Sequence, residues 1–204
     1  MKNDWNKQLE NFILPFYYAK NALDYQFACT KLVVSIQDAH ADIWLGAKKI
    51  DSFKGDYYTP FRVSFIENQL VVTGYYDDSS TLFIKNKIFV GNVIESMNGL
   101  TVDSLVKTYL PLTSGANLKG QLFNLAKSKG YLMRGRTPDL QIVLKRFNER
   151  KTVSVTRQQS PYDSDWDLFT GNRIINGNIG YIYAAHLNPK DLNILKNAIR
   201  MPRV

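Results

Sequence analysis

Apolar residues recur along this chain with two different periods, and the change of period divides it. Between residues 24 and 43, Ala28, Leu32, Ile36 and Ala39 or His40 stand three or four apart, the spacing of one helical face. Asp24 is a fitting N-cap for that helix. The preceding segment repeats the spacing with Trp5, Leu9, Phe12, Ile13 and Phe16, and Pro15 is expected to end or kink it. Lys48 to Asp56, rich in Lys, Asp and Gly, reads as a loop. From Arg62 the period falls to two. Val63 and Phe65 alternate with Arg62, Ser64 and Ile66, Glu67-Asn68 supplies a turn, and Leu70 to Thr73 return, which predicts a hairpin.

The stretch IFVGNVIESMNG, residues 88 to 99, continues in the same mode. Ile88 to Val90 and Val93-Ile94 are strand-like, Asn98-Gly99 carries type I′ turn chemistry, and Leu100 to Val102 resume the strand. Asp103 is expected to cap a short helix through Leu105, Val106 and Tyr109 that stops at Pro111. A second helix is predicted from Asn117 to Lys129, with Leu118, Leu122 and Leu125 on one face and Gly130 as C-cap. Leu140, Ile142 and Leu144, a turn at Asn148-Glu149, then Val153 and Val155 predict a closing hairpin. Residues 158–178, rich in Ser, Asp, Asn and Gly, read as a linker or surface excursion. Ile179 to Tyr183 then reads as a strand, and Pro189 as the opening of a helix that buries Leu192, Leu195 and Ile199. The expected organisation is a helical module over residues 1–54, a partly open barrel of strands with two helices over 55–157, and a linker with the start of a further domain over 158–204. The fold class is α+β.

Composition narrows this picture without redirecting it. With 45% hydrophobic and 22% charged residues, 204 residues suffice for one large or two small domains with buried cores. No apolar stretch approaches the roughly 18 residues of a membrane span, and no apolar signal core follows Trp5. Cys29 is the single cysteine, so an internal disulfide and a cysteine-rich metal site are excluded, and the residue is expected to be a small buried apolar one. His40 and His186 are the two histidines, too few for a histidine-rich metal site, and no cofactor or metal ion is expected. The expected work of His40 is hydrogen bonding that fixes the helix end near Asp38.

The net charge of +8 raises the question of nucleic acid. Its distribution gives a plainer answer. Residues 119–157 hold ten basic side chains against Asp139 and Glu149 alone, but they alternate with apolar residues along a helix and a hairpin, as a solvated face does. Stacking aromatics are sparse there, essentially Phe123, Tyr131 and Phe147, so nucleic acid is not expected as a partner.

Three motifs in order carry a family resemblance. IFVGNVIESMNGLTV, residues 88–102, resembles the PDZ-like pattern of an apolar residue, a Gly-Asp pair, strand residues, and Asn-Gly before a second apolar pair. QDAHADIW, residues 37–44, resembles the Asp-x-His-Ala ending of the N-terminal helical domain of tail-specific, or C-terminal-processing, serine peptidases. GNIGYIYAAHL, residues 177–187, resembles the Ile-Gly-Tyr-Ile strand that opens their catalytic domain. Asn92 stands where the family commonly has Asp, which keeps a turn-stabilising hydrogen bond and loses the charge.

The resemblance implies a bacterial serine peptidase with a Ser-Lys dyad, exported to the periplasm or cell envelope, with membrane attachment only through a segment missing from this chain. The family's dyad lies beyond an Asp-x-Arg-x-Asn-x-Gly-Gly that this sequence does not contain. No catalytic residue is assigned, Ser96, Ser104, Ser114 and Ser128 are expected to be structural, and the chain by itself is expected to be inactive as a peptidase. Its implied part is recognition of a polypeptide substrate or a protein C-terminus by the PDZ-like domain, or gating of the active site. A stand-alone adaptor that binds protein partners without proteolysis is the alternative. In such domains a peptide adds as a strand to a sheet edge, and backbone N–H groups of a glycine-rich loop take its carboxylate. The corresponding stretch, Tyr57 to Val63, has no glycine, and Pro60 removes a donor. The implied peptide-binding residues are Tyr58, Pro60, Phe61, Arg62 and Val63, with Arg62 as a charged substitute for the missing donors.

Overall fold

The computed structural model describes residues 5–43, 47–76, 87–159, 171–175, 179–183 and 196. The chain divides into two compact units, residues 1–162 and 163–204. In the first, α1 (Trp5–Tyr17) passes through Pro15 and continues to Tyr17. α2 (Ala22–Val34) starts from Asn21, whose side chain accepts from the amides of Leu23 and Asp24 at 2.9 and 3.0 Å. Asp24, expected as the cap itself, is one turn inside and answers Asn21: its carboxylate accepts from the Lys20 amide and the Asn21 side chain. The result is a reciprocal cap of the capping-box kind.

The predicted helical face does not run to Ile43. α2 ends at Val34, Gln37 takes φ 57°, and Asp38 closes a tight turn by accepting from the His40 amide at 2.7 Å. That backbone donor, with the nearby imidazole, holds the Asp38 carboxyl below its ordinary range. Asp38 and His40 therefore shape a turn beyond the helix and do not fix its end. Cys29 is half-buried, not fully buried, because it lies on the flank of α2 between the buried Ala28 and Thr30.

The stretch read as a loop contains α3 (Lys48–Lys54). Its N-cap, Ala47, offers no side-chain acceptor. Gln26 of α2 supplies one, its Oε1 accepting from the amides of Lys49 and Ile50 at 3.2 and 3.3 Å. Gly55 ends the helix at φ 87°, and a Cβ there would stand 2.1 Å from the carbonyl oxygen of Gly135, so backbone angle and close approach both demand glycine. Aromatic rings continue the packing. Phe27 meets Phe53 edge-on at 5.0 Å, Phe53 meets Tyr109 at 6.4 Å, and Tyr109 stacks on Tyr131 at 5.0 Å, a row that ties α2 and α3 to the sheet domain.

The sheet domain is built on a six-stranded antiparallel sheet. Its main path runs β2 (Phe61–Ile66), β3 (Gln69–Tyr75), β4 (Val93–Met97), β7 (Asp139–Arg146) and β8 (Glu149–Thr156), and β5 (Leu100–Thr101) pairs with β4. The hairpin turns obey their sequence chemistry: Glu67 and Asn68 take φ 49° and 62°, Asn98 and Gly99 take 48° and 79°. At the last hairpin the turn lies one residue early, at Phe147-Asn148, with Phe147 at φ 52°. Residues 88–90 are not a strand. Gly91, at φ 89°, and Asn92 turn the chain into β4, and Asn92 Oδ1 accepts from the Phe89 amide at 2.6 Å.

Alternate residues of these strands form the core. Phe61, Leu70, Val72, Ile94, Leu140, Ile142 and Leu144 are buried with Leu125 and Met133. Over them lie α4 (Val102–Tyr109), capped by Thr101 and not Asp103, and α5 (Leu118–Ala126), capped by Asn117. Pro111 sits in a 3-10 turn that continues α4, Leu110–Leu112. α5 stops at Ala126, short of Lys129, and Leu118 is exposed while Leu125 is fully buried. A separate two-stranded pairing joins β1 (Tyr57–Tyr58) to β6 (Arg134–Gly135).

In the second unit, β9 (Gly171–Ile175) and β10 (Ile179–Tyr183) form an antiparallel hairpin, Ile175 opposite Ile179 and Gly171 opposite Tyr183. The predicted strand 179–183 is thus present, and residues 171–175, read as part of a linker, are its partner. Trp44, His186 and the start of the predicted helix at Pro189 lie outside the described residues. The architecture is α+β.

Candidate polypeptide-binding edge and its two buried arginines

β2 is the terminal strand of its sheet: among the described residues it pairs with β3 alone. A β-bulge between Arg62 and Val63 bends its start, and α5 packs against it. An edge strand beside a helix offers unpaired backbone groups that an extended chain can pair with.

The five residues expected to bind peptide are consecutive with this edge but present little side chain to a ligand. Tyr58, Pro60, Phe61 and Val63 are buried. Phe61 and Val63 point into the core cluster. Arg62 is exposed, and its guanidinium lies over the Tyr76 ring at 5.0 Å. The loop's amides are also engaged. Tyr58 N donates to Gln158 O at 2.7 Å, Thr59 N donates to Met133 O at 2.9 Å, and Pro60 has no N–H. Two donors that a carboxylate-binding loop would present outward are therefore turned into the fold.

Behind this loop lie two arginines that periodicity did not single out. Arg134, on β6, is caged. Its Nε donates to Gly55 O at 2.7 Å, Nη1 to Asp51 Oδ1 at 3.0 Å and Nη2 to Asp51 O at 3.2 Å, with Asp56 Oδ1 at 3.6 Å and the Tyr58 ring 5.3 Å from the guanidinium carbon. The cage joins the end of α3 to β6. Arg157 follows β8, and its backbone amide donates to Pro138 O. Only 6% of its surface is exposed. Its one side-chain hydrogen bond among the described residues is from Nε to Thr59 Oγ1 at 3.4 Å, a long one. Burial pushes its pKa down to about 10, which leaves it cationic at neutral pH.

The neighbouring titratable groups show the same low-dielectric surroundings. Burial raises the Tyr131 phenol above its usual range, and the Asp42 and Asp51 carboxylates push the same way. Burial, then repulsion from Arg134, lowers the ammonium pKa of Lys54, which sits 4.5 Å over the Tyr131 ring. Asn92 is fully buried, and its Nδ2 has no partner among the described residues.

The serines read as structural are engaged in the fold where the structure describes them. Ser104 shares the cap of α4 with Thr101, Ser128 is buried, and Ser96 lies within the β4 ladder. Chemically the region offers hydrogen-bond donors and one buried guanidinium that no carboxylate among the described residues pairs with. The signal that pointed to Arg157 was present but weak: a single basic residue at the end of an alternating strand, where polar strand ends are common.

No protein-family model matches this chain, and no curated protein matches its sequence. Among solved structures it is similar to one titled photosystem II D1 C-terminal processing protease, at 14% sequence identity and a TM-score of 0.41, over 97% of this chain and 50% of that one. The chain thus spans about half the length of the protease to which it is similar.

Proposed function

We propose that this chain is the polypeptide-recognising, non-catalytic portion of a tail-specific-type serine peptidase, and that its PDZ-like domain receives an extended polypeptide along the outer edge of β2. The observation that carries this reading is the terminal position of β2, with α5 packed beside it. It coincides with the order of the three sequence motifs. The polypeptide adds as a strand, main-chain hydrogen bonds provide affinity, and the neighbouring surface provides selection. The same reading makes the protein an exported one, in the periplasm or cell envelope, with the bond-breaking serine and lysine contributed by sequence other than the residues described.

Titration of the labelled chain with unstructured peptides tests this, with backbone amide shifts as the readout. The expected result is saturable change confined to β2 and α5. Saturable change centred on β8, at the opposite end of the sheet path, would refute the placement, and no change with any peptide would refute polypeptide recognition. Purified chain that cleaves an unstructured protein after stringent repurification would refute the non-catalytic assignment.

A further inference from the structure

The amides of Tyr58 and Thr59 are engaged and Pro60 has none, and among the described residues the Arg157 side chain beside them has no counter-charge. We propose that Arg157 is the carboxylate-receiving group of this polypeptide site: its guanidinium, beside Thr59 and Pro60, takes a carboxylate of the bound chain in place of backbone N–H groups. The inference rests on the reading of the domain as polypeptide-binding.

Four observations converge on it. First, Arg157 is 6% exposed, and no carboxylate among the described residues pairs with it. Buried arginines are as a rule paired, since stripping water from an unpaired ion is costly. Second, Arg134, on the adjoining strand, obeys that rule with Asp51 and Asp56, so the fold supplies anions to a buried guanidinium where structure needs one. Third, among the described residues only Nε of Arg157 has a partner, the Thr59 hydroxyl, which leaves the forked Nη1 and Nη2 donors for the two oxygens of a carboxylate. Fourth, Gly135 lies against the guanidinium: a Cβ there would stand 2.0 Å from Nη1, and its three nearest atoms, Nη1, Cζ and Nε, all belong to Arg157. The glycine leaves the fork the room it occupies. Tyr58, Thr59 and Pro60 complete the case, because their amides are spent or absent.

The chemistry is that of a planar carboxylate, whether the α-carboxylate of a chain end or the side chain of Asp or Glu. Three probes separate these sources: a peptide with a free C-terminus, the same peptide amidated, and an amidated peptide with an internal Asp. The expected outcome is that whichever carboxylate-bearing peptide binds wild type loses about ten-fold or more in affinity to Arg157→Gln, the loss of a charge-assisted bidentate contact. Arg157→Lys should recover only part of it, since an ammonium lacks the fork. Gly135→Ala, which keeps the charge but displaces Nη1, should weaken binding in the same way. Circular dichroism and thermal melting establish that each variant is folded.

A second readout does not depend on peptide. Acetate, titrated at constant ionic strength against chloride, should shift the Nε–H resonance of Arg157 saturably and leave that of Arg134 in place. An unmoved Arg157 resonance overturns the inference. Peptide binding that is equal in wild type and Arg157→Gln also overturns it, while polypeptide recognition stands. A saturable acetate response with no peptide binding keeps Arg157 as a carboxylate site and removes the polypeptide reading.

Discussion

Arg134 is part of the short pairing of β1 with β6 and Arg157 lies against it, and both side chains are almost wholly buried, yet they answer the cost of burial in opposite ways. Arg134 is surrounded by acceptors from α3, its terminal Gly55 and the following Asp56: two carboxylates and two backbone carbonyls. Among the described residues, Arg157 has a single hydroxyl at 3.4 Å. A satisfied buried guanidinium joins elements, whereas an unsatisfied one stores free energy that a ligand can release. The difference teaches which of two similar residues to read as architecture and which as a site.

Removing each guanidinium should therefore shift stability in opposite directions. Arg134→Met, which leaves the Gly55 and Asp51 carbonyls without their donors, should cost about 3 kcal/mol in urea unfolding. Equal stability of the variant would break the comparison at its structural end. Arg157→Met, which replaces an unpaired buried ion by an apolar chain of similar reach, should raise stability by about 1–3 kcal/mol. A loss of similar size would make Arg157 a structural residue.

The pH dependence sharpens the second case. The folded pKa of Arg157 is lowered to about 10, so the unfolded state holds the proton more tightly. The burden it places on the fold is fully present below that pH and is relieved as pH rises from about 10 toward the ordinary guanidinium value. The stability gap between wild type and Arg157→Met should accordingly stay constant from neutral pH to about 9 and narrow above about 10. A gap that closes near neutrality would show that another group is responsible.

A smaller effect concerns the helix that Arg134 holds. Gln26 caps its other end, so Gln26→Ala should cost about 1 kcal/mol, the usual loss of an N-cap acceptor. Hydrogen exchange should rise first at the amides of Lys49 and Ile50. The smallest effect belongs to a third arginine, Arg150, which donates to Glu95 from an exposed position at 2.7 and 3.1 Å. Its hydrogen bond holds the Glu95 carboxyl below its ordinary value of 4.5. The pair's contribution is present above that pH and is lost as the pH falls through the lowered value. Glu95→Gln should change melting at neutral pH only slightly, since exposed pairs contribute little, and should remove this acid-side loss. A neutral-pH change as large as that of Arg134→Met would contradict the ordering by burial.

These contrasts also mark how far the sequence can be read. Leu70 with Val72, and Leu140 with Ile142 and Leu144, declare buried strand faces through alternation alone, and each is buried as expected. Asn98-Gly99 announces its turn for an equally local reason, the left-handed angles that these two residues accept. α3 escaped because its cap comes from Gln26, more than twenty residues earlier, and no Ser, Thr, Asp or Asn marks its start. Residues 171–175 read as a linker because a strand whose partner is its neighbour in a hairpin need not alternate in polarity.

The candidate site divides in the same way. The expectation of a site beside Tyr58 to Val63 comes from the family-like motif order, and the absence of glycine together with Pro60 already marks the loop as short of donors. Arg62, the charged residue the sequence put forward, is exposed and lies over Tyr76, whereas Arg157, far further along the chain, reaches the loop at Thr59. What the sequence determined by itself was governed by neighbours along the chain: the alternating strand faces, the turns at Glu67-Asn68 and Asn98-Gly99, the helix start at Asn117, and the α+β class. Tertiary structure alone decided which buried cation received an anion, because a guanidinium's partners are set by whatever distant segments are folded around it, and no local pattern records their absence.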